Sequence, residues 1–400
     1  MSRNSLINIL LVGIGTFLGF FLCECGLRLY YFGSLAEPLP ERHLREPHKT
    51  LGWCLTPNQT AFQQTLDYSV RIKINSKGLR DIEHSYSKEA DVFRMVILGD
   101  SFMEAYQVPL ECSFPRLLEK ALNERVSQRI EVINLGVGGY GTAQEYLYLR
   151  EEGLKYHPDL VILAFLGLND VRNNSRTLEA KLWGSEDVFK IIARPFYVRD
   201  DDGNLMLREP NFEKARKIAE ARDSQRRKRD IKKRILLYRL VNRKLKSMKA
   251  EPHYGSHDLK AMLGSYFPRY DKDWREAWDI TKQLILMIHK LSLEHGAPFF
   301  LFSVPSKFQI EKDYFKKGMS RYLTKDPNLR IDLEKPDRIL KAFCEHNNIP
   351  SLSLTGQFRA YYDHTNERLY HSIRDTHWNE QGHKLATEIV AGYLISEQLL

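Results

Sequence analysis

Cysteine is scarce in this chain, with 5 among 400 residues, and the number is odd. Cys23 and Cys25 sit inside an apolar segment, while Cys54, Cys112 and Cys344 stand far apart, so a disulfide framework and a cysteine-based zinc site both lack their signature. His364, His371 and His383 fall near one another, but their spacing is not that of His-Glu-x-x-His and no cluster of carboxylates joins them. No metal is expected. The chain also lacks internal repeats and low-complexity tracts, which argues against a repetitive architecture. Net basic charge is missing from most of it: Arg208 to Ala250 carries 17 basic and 5 acidic residues, about +12 against the formal net +9, which leaves the remainder near −3. No nucleic-acid-binding motif accompanies that basic stretch, so no nucleic-acid partner is expected.

Long apolar runs are missing too, with one exception. Leu6 to Cys25 is almost uninterrupted for about 20 residues, enough to span a bilayer and more than a signal-peptide core needs. No small-residue cleavage site follows it, and Phe20, Phe21 and Leu22 before Cys23 are too bulky for lipoprotein processing. The segment is read as an uncleaved anchor, residues 1–34, of a single-pass membrane protein. Arg28, Arg42 and Arg45 on its far side favour a cytoplasmic domain, but large domains translocate largely regardless of charge. An extracytoplasmic domain is expected.

Residues 35–91 read as a linker with Pro38, Pro40, Pro47 and Pro57, followed by a strand or hairpin around Tyr68–Ile74 and the turn Asn75-Ser76-Lys77-Gly78. From Val92 onward, apolar runs near 92–98, 130–135, 159–165, 298–303 and 349–354 alternate with helical patterns over Ser113–Glu124, Thr142–Glu152, Pro336–Asn347 and Glu380–Leu399. This alternation implies an α/β domain, 92–400, built on a parallel sheet with right-handed crossovers. A basic insertion interrupts it at about 175–273. Its middle, Lys214 to Lys249, has Ile231, Ile235, Tyr238, Val241, Leu245 and Met248 at helical spacing. With Arg226-Arg227-Lys228-Arg229 on the opposite face, this helix is a solvated surface element, a cap over the active site, or a patch for anionic lipid or glycan.

The first apolar run, Met95-Val96-Ile97-Leu98, stops on Gly99-Asp100-Ser101. A strand-to-helix turn there exposes the serine at the carboxyl edge of the sheet, where ligands collect in open α/β folds. Asp100 and Ser101 are also good helix N-caps, so the turn alone is ambiguous. Three further stretches follow: Asn134-Leu135-Gly136-Val137-Gly138-Gly139, Gly167-Leu168-Asn169-Asp170 and Asp375-Thr376-His377-Trp378-Asn379. In this order the four resemble the SGNH (GDSL) hydrolase family. The resemblance implies a flavodoxin-like three-layer fold, strand order 2-1-3-4-5, and a serine esterase.

Ester cleavage needs a nucleophile, a base and donors for the oxyanion. Ser101 suits the first role, His377 the second, and Asp375 can orient the imidazole ring. The family's commonest acid lies three residues before the histidine; the spacing of two here is similar to the Asp-x-His-Trp pattern of alginate O-acetylation proteins. The resemblance matches Gly139 to the glycine whose N–H faces the oxyanion, with the side-chain amide of Asn169 and the N–H of Ser101 as further donors. Gly136-x-Gly138-x-x-Gly141 imitates a dinucleotide fingerprint, but Asp159 begins its strand instead of ending it, so no cofactor is expected. The leading reading is an esterase acting on an O-acyl ester, with acetyl foremost, of a carbohydrate or lipid. An O-acyltransferase acting on an extracytoplasmic polysaccharide and an inactive polysaccharide-binding module are the alternatives.

Overall fold

Side chains alternate across a strand, so an apolar run buried on both faces needs cover on two sides. The computed structural model provides it, describing residues 3–30, 44–233, 245, 259–323, 330–372 and 375–400. The chain divides into two units, Met1–Arg42 with Glu220–Glu251, and His43–Ala219 with Pro252–Leu400.

The larger unit opens with two antiparallel hairpins, β1 (Arg45–His48) with β2 (Gly52–Leu55) and β3 (Thr60–Gln64) with β4 (Ser69–Lys73). The central sheet uses β5 (Val92–Gly99), β6 (Arg129–Asn134) and β7 (Leu160–Phe165); β8 (Phe196–Arg199) and β9 (Leu205–Arg208) form a separate hairpin; β10 (Phe299–Ser303) and β11 (Ser351–Ser353) complete the sheet. Its order is β11-β10-β7-β5-β6, with every neighbouring pair parallel. Counted along the chain this is 2-1-3-4-5, the flavodoxin-like order that the resemblance implies.

Strand alternation sorts the core into two clusters. Val96, Leu98, Val161, Leu163, Phe299 and Leu301 face one way, onto Trp274, Trp278, Ile285 and Ile288 of the helix Lys272–Glu294. Met95, Ile97, Leu160, Ile162, Phe300 and Phe302 face the other, onto Leu118 and Leu122 of Phe114–Asn123 and Val390 and Leu394 of Glu380–Ser396. The sheet is thus the middle of three layers. The first cluster also takes Leu51, Trp53, Leu55, Ile72 and Ile74 from the residues read as linker and hairpin, so that segment contributes core.

Two elements differ from expectation. The hairpin β8–β9 lies within the stretch read as a helical insertion; its strands are only four residues long, too short for a periodic signal. Its turn is fixed by Asp200, whose Oδ1 accepts from the N–H groups of Asp202 and Asn204. The helix Thr355–Thr365 follows β11 almost at once and was hidden behind that short apolar run. Within the insertion a helix runs over Phe212–Lys233, while Ile235, Tyr238, Val241 and Met248 lie outside the described residues. All five cysteines are free.

In the smaller unit, the helix Arg3–Tyr30 contains a span, Ile7–Tyr30, that is long and apolar enough to cross a membrane by length and composition.

Candidate active site

The strand β5 ends in Gly99, and Asp100 then caps the four-residue helix Ser101–Glu104, its Oδ1 accepting from the Phe102 N–H at 2.9 Å. Capping and exposure of the serine are therefore the same feature: the aspartate fixes the turn, and Ser101 becomes its first helical residue. Beneath the turn the buried guanidinium of Arg80 donates to the carbonyls of Glu104 (2.8 Å), Ala105 (2.6 Å) and Val108 (2.6 Å). One side chain thus supplies donors to three carbonyls, that of Ala105 also accepting the Val108 N–H.

The last loop brings the histidine. His377 Nε2 lies 2.8 Å from Ser101 Oγ, and His377 Nδ1 lies 2.6 Å from Asp375 Oδ1. The same carboxylate oxygen accepts the backbone N–H of His377 at 2.9 Å. A spacing of two thus works as an Asx-type turn in which one aspartate oxygen holds both the backbone and the ring. Asp67, in the turn between β3 and β4, accepts from the N–H of Asp375 at 3.0 Å.

Trp378 anchors this loop. It is completely buried, with its ring 5.1 Å from Phe102, 5.3 Å from Phe358 and 5.4 Å from His383. Its backbone bridges to Tyr370, and Asn379 caps the final helix by accepting from the Gly382 N–H at 3.0 Å. Truncating a fully buried tryptophan costs about 3–5 kcal/mol, so burial of the neighbour of His377 holds the loop in place.

Burial works against charge on both partners, but their mutual attraction prevails. Asp375 is held down at about 2, below the ordinary carboxylate range, by its hydrogen bond and charge interaction with His377. The His377 imidazolium is correspondingly raised above 6.5, with Asp100 and Glu104 adding to the effect of Asp375.

Gly139 adopts φ +82°, a left-handed conformation open mainly to glycine. Its neighbours lock it there: the Gly138 N–H donates to Glu104 Oε2 at 2.5 Å, Arg45 binds the same oxygen, and Arg194 donates to the Gly139 carbonyl at 2.8 Å. Gly136 is required for a different reason, because a Cβ there would stand 2.5 Å from the Cβ of Met103 in the Ser101 turn. Asn134 joins the two segments, donating to the Met103 carbonyl at 2.8 Å and accepting from the Gly136 N–H at 2.9 Å.

Asn169 donates one side-chain N–H to Asp100 Oδ2 at 2.8 Å, and its second N–H belongs to a side chain that lines the cavity beside Ser101. Asp170 closes this turn by accepting from the Leu166 N–H at 2.6 Å. Burial raises Asp100, and raises Asp170 and Glu145 well above the ordinary carboxylate range.

Ser101, Gly139, Asn169 and His377 line one cavity of about 540 Å³, with Asp375 behind His377. The structure therefore brings together all five residues singled out in the sequence. The other motif residues stand outside the cavity lining, although the His371 N–H donates to the His377 carbonyl at 3.1 Å. His383 accepts from the Phe114 N–H at 3.2 Å, the His371 ring rests on Tyr68, and Asp159 binds Lys88 and the Arg94 N–H. Among the described residues no three His, Cys, Asp or Glu side chains could hold a metal together.

Several cavity residues escaped sequence reasoning. Glu104 had a local signal, one helical turn after Ser101. Arg45, Lys190, Arg194 and Lys307 had none, since each reaches the cavity from an element distant in the chain.

The model of the GDSL-like Lipase/Acylhydrolase family matches residues 97–320; Asp375 and His377 lie beyond the matched stretch. An arylesterase of Vibrio mimicus is 39% identical over 77 residues, which are 19% of this chain and 38% of that protein; the chain thus spans well under half of the curated relative it matches. Among solved structures, an acetyl xylan esterase, AlAXEase, is similar at 13% identity and a TM-score of 0.38, covering 76% of this chain and 100% of that one. A lipase/acylhydrolase from Enterococcus faecalis is similar at 12% identity and a TM-score of 0.38, covering 76% and 96%. With the family model matched from the strand before the Gly-Asp-Ser turn across more than half of its length, this chain belongs to the GDSL-like lipase/acylhydrolase family.

Proposed function

We propose that the protein is a serine esterase hydrolysing an O-acyl ester, with acetyl as the leading acyl group and a carbohydrate or lipid as the alcohol. The observation that carries this reading is the continuous hydrogen-bond chain from Asp375 through His377 to Ser101, at 2.6 and 2.8 Å. In it, Ser101 Oγ attacks the ester carbonyl as His377 Nε2 takes its proton. Asp375 stabilises the imidazolium so formed without itself being protonated, consistent with its depressed pKa. The N–H groups of Ser101 and Gly139 and the side-chain amide of Asn169 receive the oxyanion. The imidazolium then protonates the departing alkoxide, and water, deprotonated by His377, releases the acid from the acyl-enzyme.

We further propose that the apolar helix Arg3–Tyr30 is a membrane anchor and that the catalytic unit lies outside the cytoplasm. The length and composition of the span support the first part, and the tolerance of large domains to flanking charge supports the second.

Three outcomes are expected. Ser101→Ala should abolish turnover of an activated acetyl ester, and Asn169→Ala should cost on the order of 100-fold in kcat. The double variant Ser101→Ala/His377→Ala should be little worse than the poorer single one, because the two act as a unit. Full additivity of the two losses in steady-state kinetics would separate His377 from Ser101 and defeat the reading.

The second outcome concerns pH. The base must be neutral, and its ionisation is raised above 6.5, so kcat/KM should fall as pH drops through a single ionisation lying above that value. Asp375→Asn should move that midpoint to lower pH and reduce the plateau on the order of 10⁴-fold. A pH–rate profile with an unmoved midpoint would contradict the role given to Asp375.

The third outcome concerns placement. A reporter fused after Leu400 should be active on the extracytoplasmic side; activity confined to the cytoplasm would show that the positive flank has set the opposite topology.

A further inference from the structure

Five cationic side chains, Arg45, Arg172, Lys190, Arg194 and Lys307, line the cavity around Ser101, against the carboxylates of Glu104 and Glu179. Four of the five are engaged by the protein. Arg45 binds Glu104 at 2.5 Å, and Arg172 binds Glu179 at 3.0 Å. Arg194 donates to Gln144 Oε1 at 2.6 Å and to the Gly139 carbonyl, while Lys307 donates to the His371 carbonyl at 2.5 Å. Both carboxylates take part in these contacts, Glu104 through Oε2, and Glu179 also accepts from the Trp183 indole.

Lys190 is different. Among the described residues its ammonium has no hydrogen-bond or ion-pair partner; it hangs 5.0 Å from the centre of the Trp183 ring. It also lies 4.0 Å from where a Cβ on Gly139 would stand, which puts it on the rim of the proposed oxyanion hole. Burial, with Arg194, Arg45 and Arg172 nearby and only Glu179 opposing them, lowers its pKa to about 8. Most of the amine is still charged at neutral pH. An ammonium in this setting gains from any anion that enters the cavity, and no carboxylate among the described residues forms an ion pair with it.

We propose that the cavity takes esters that carry a second, anionic group, a carboxylate or a phosphate, and that Lys190 is the counter-ion that receives it. This rests on the esterase reading for its catalytic consequence, although the anion site itself does not require turnover. The cation–π contact with Trp183 would hold the ammonium at the rim in the empty cavity, and the aliphatic stem lets it reach the incoming anion.

The test uses the full chain in detergent and matched ester pairs. With the charge on the alcohol side, 4-acetoxybenzoate and 4-acetoxyphenyl phosphate are compared with methyl 4-acetoxybenzoate. With the charge on the acyl side, mono-4-nitrophenyl terephthalate is compared with 4-nitrophenyl benzoate. In the wild type at least one anionic ester should exceed its neutral partner in kcat/KM by about tenfold, mainly through KM; Lys190→Gln should erase that ratio and Lys190→Arg should retain it. The phosphate and carboxylate arms tell which anion is preferred. Equal rates within both pairs for the wild type, or an unchanged ratio in Lys190→Gln, would overturn the proposal. Calorimetric binding of 4-hydroxybenzoate, terephthalate and inorganic phosphate is read in parallel. Binding that is lost in Lys190→Gln while no ester turns over would retain the anion site and reject the esterase reading; no binding and no turnover would reject both.

Discussion

A serine hydroxyl is a weak nucleophile until a neutral imidazole stands within hydrogen-bond reach, and in this chain that imidazole comes from 276 residues away along the sequence. Most of the larger unit can be understood as the means of holding those two groups together. Ser101 is fixed from below by Arg80 and from the side by Asp100; His377 is fixed by Asp375 at its ring and by Trp378 in the core. Phe102 and Trp378 make the link direct. The residue after the serine packs on the residue after the histidine, with ring centres 5.1 Å apart, so burying one locates the other.

The second constraint is electrostatic. Asp100, Glu145 and Asp170 lie fully buried behind the Ser101 and Asn169 turns, and burial raises all three above their ordinary range. Burial thus disfavours negative charge on these carboxyls, a charge that would oppose an oxyanion formed in front of them. Among the cations of the cavity, Arg194 and Arg45 spend their charge on the Gly138–Gly139 turn through its carbonyl and through Glu104. Donors that are already locked cost no reorganisation when charge develops on the substrate.

The five core strands were legible because each is an apolar run bounded by turn residues, and Ser101, Gly139, Asn169, Asp375 and His377 were legible because each stands in a short local motif. Strand order was not, since periodicity is silent about which strands pair; it needed the family resemblance. The hairpin β1–β2 has strands of only four residues, too few to register, although it places Trp53 in the core and Arg45 on the cavity. Arg80, Arg194 and Lys190 were illegible for a deeper reason. Each acts through contacts with elements distant in the chain, and nothing around it in sequence separates it from a surface cation. Asp375 is the intermediate case: its spacing looked anomalous, and the structure resolves this by letting one oxygen hold both the backbone N–H and the ring of His377.

The central claim is that one serine, Ser101, is activated by the Asp375–His377 pair. Labelling the full-length protein with a fluorophosphonate and mapping the adduct by peptide mass spectrometry tests it most directly, because only an activated serine reacts. The account predicts a single adduct on Ser101, lost in His377→Ala; an adduct on another serine, or labelling of Ser101 that is indifferent to His377, would contradict it.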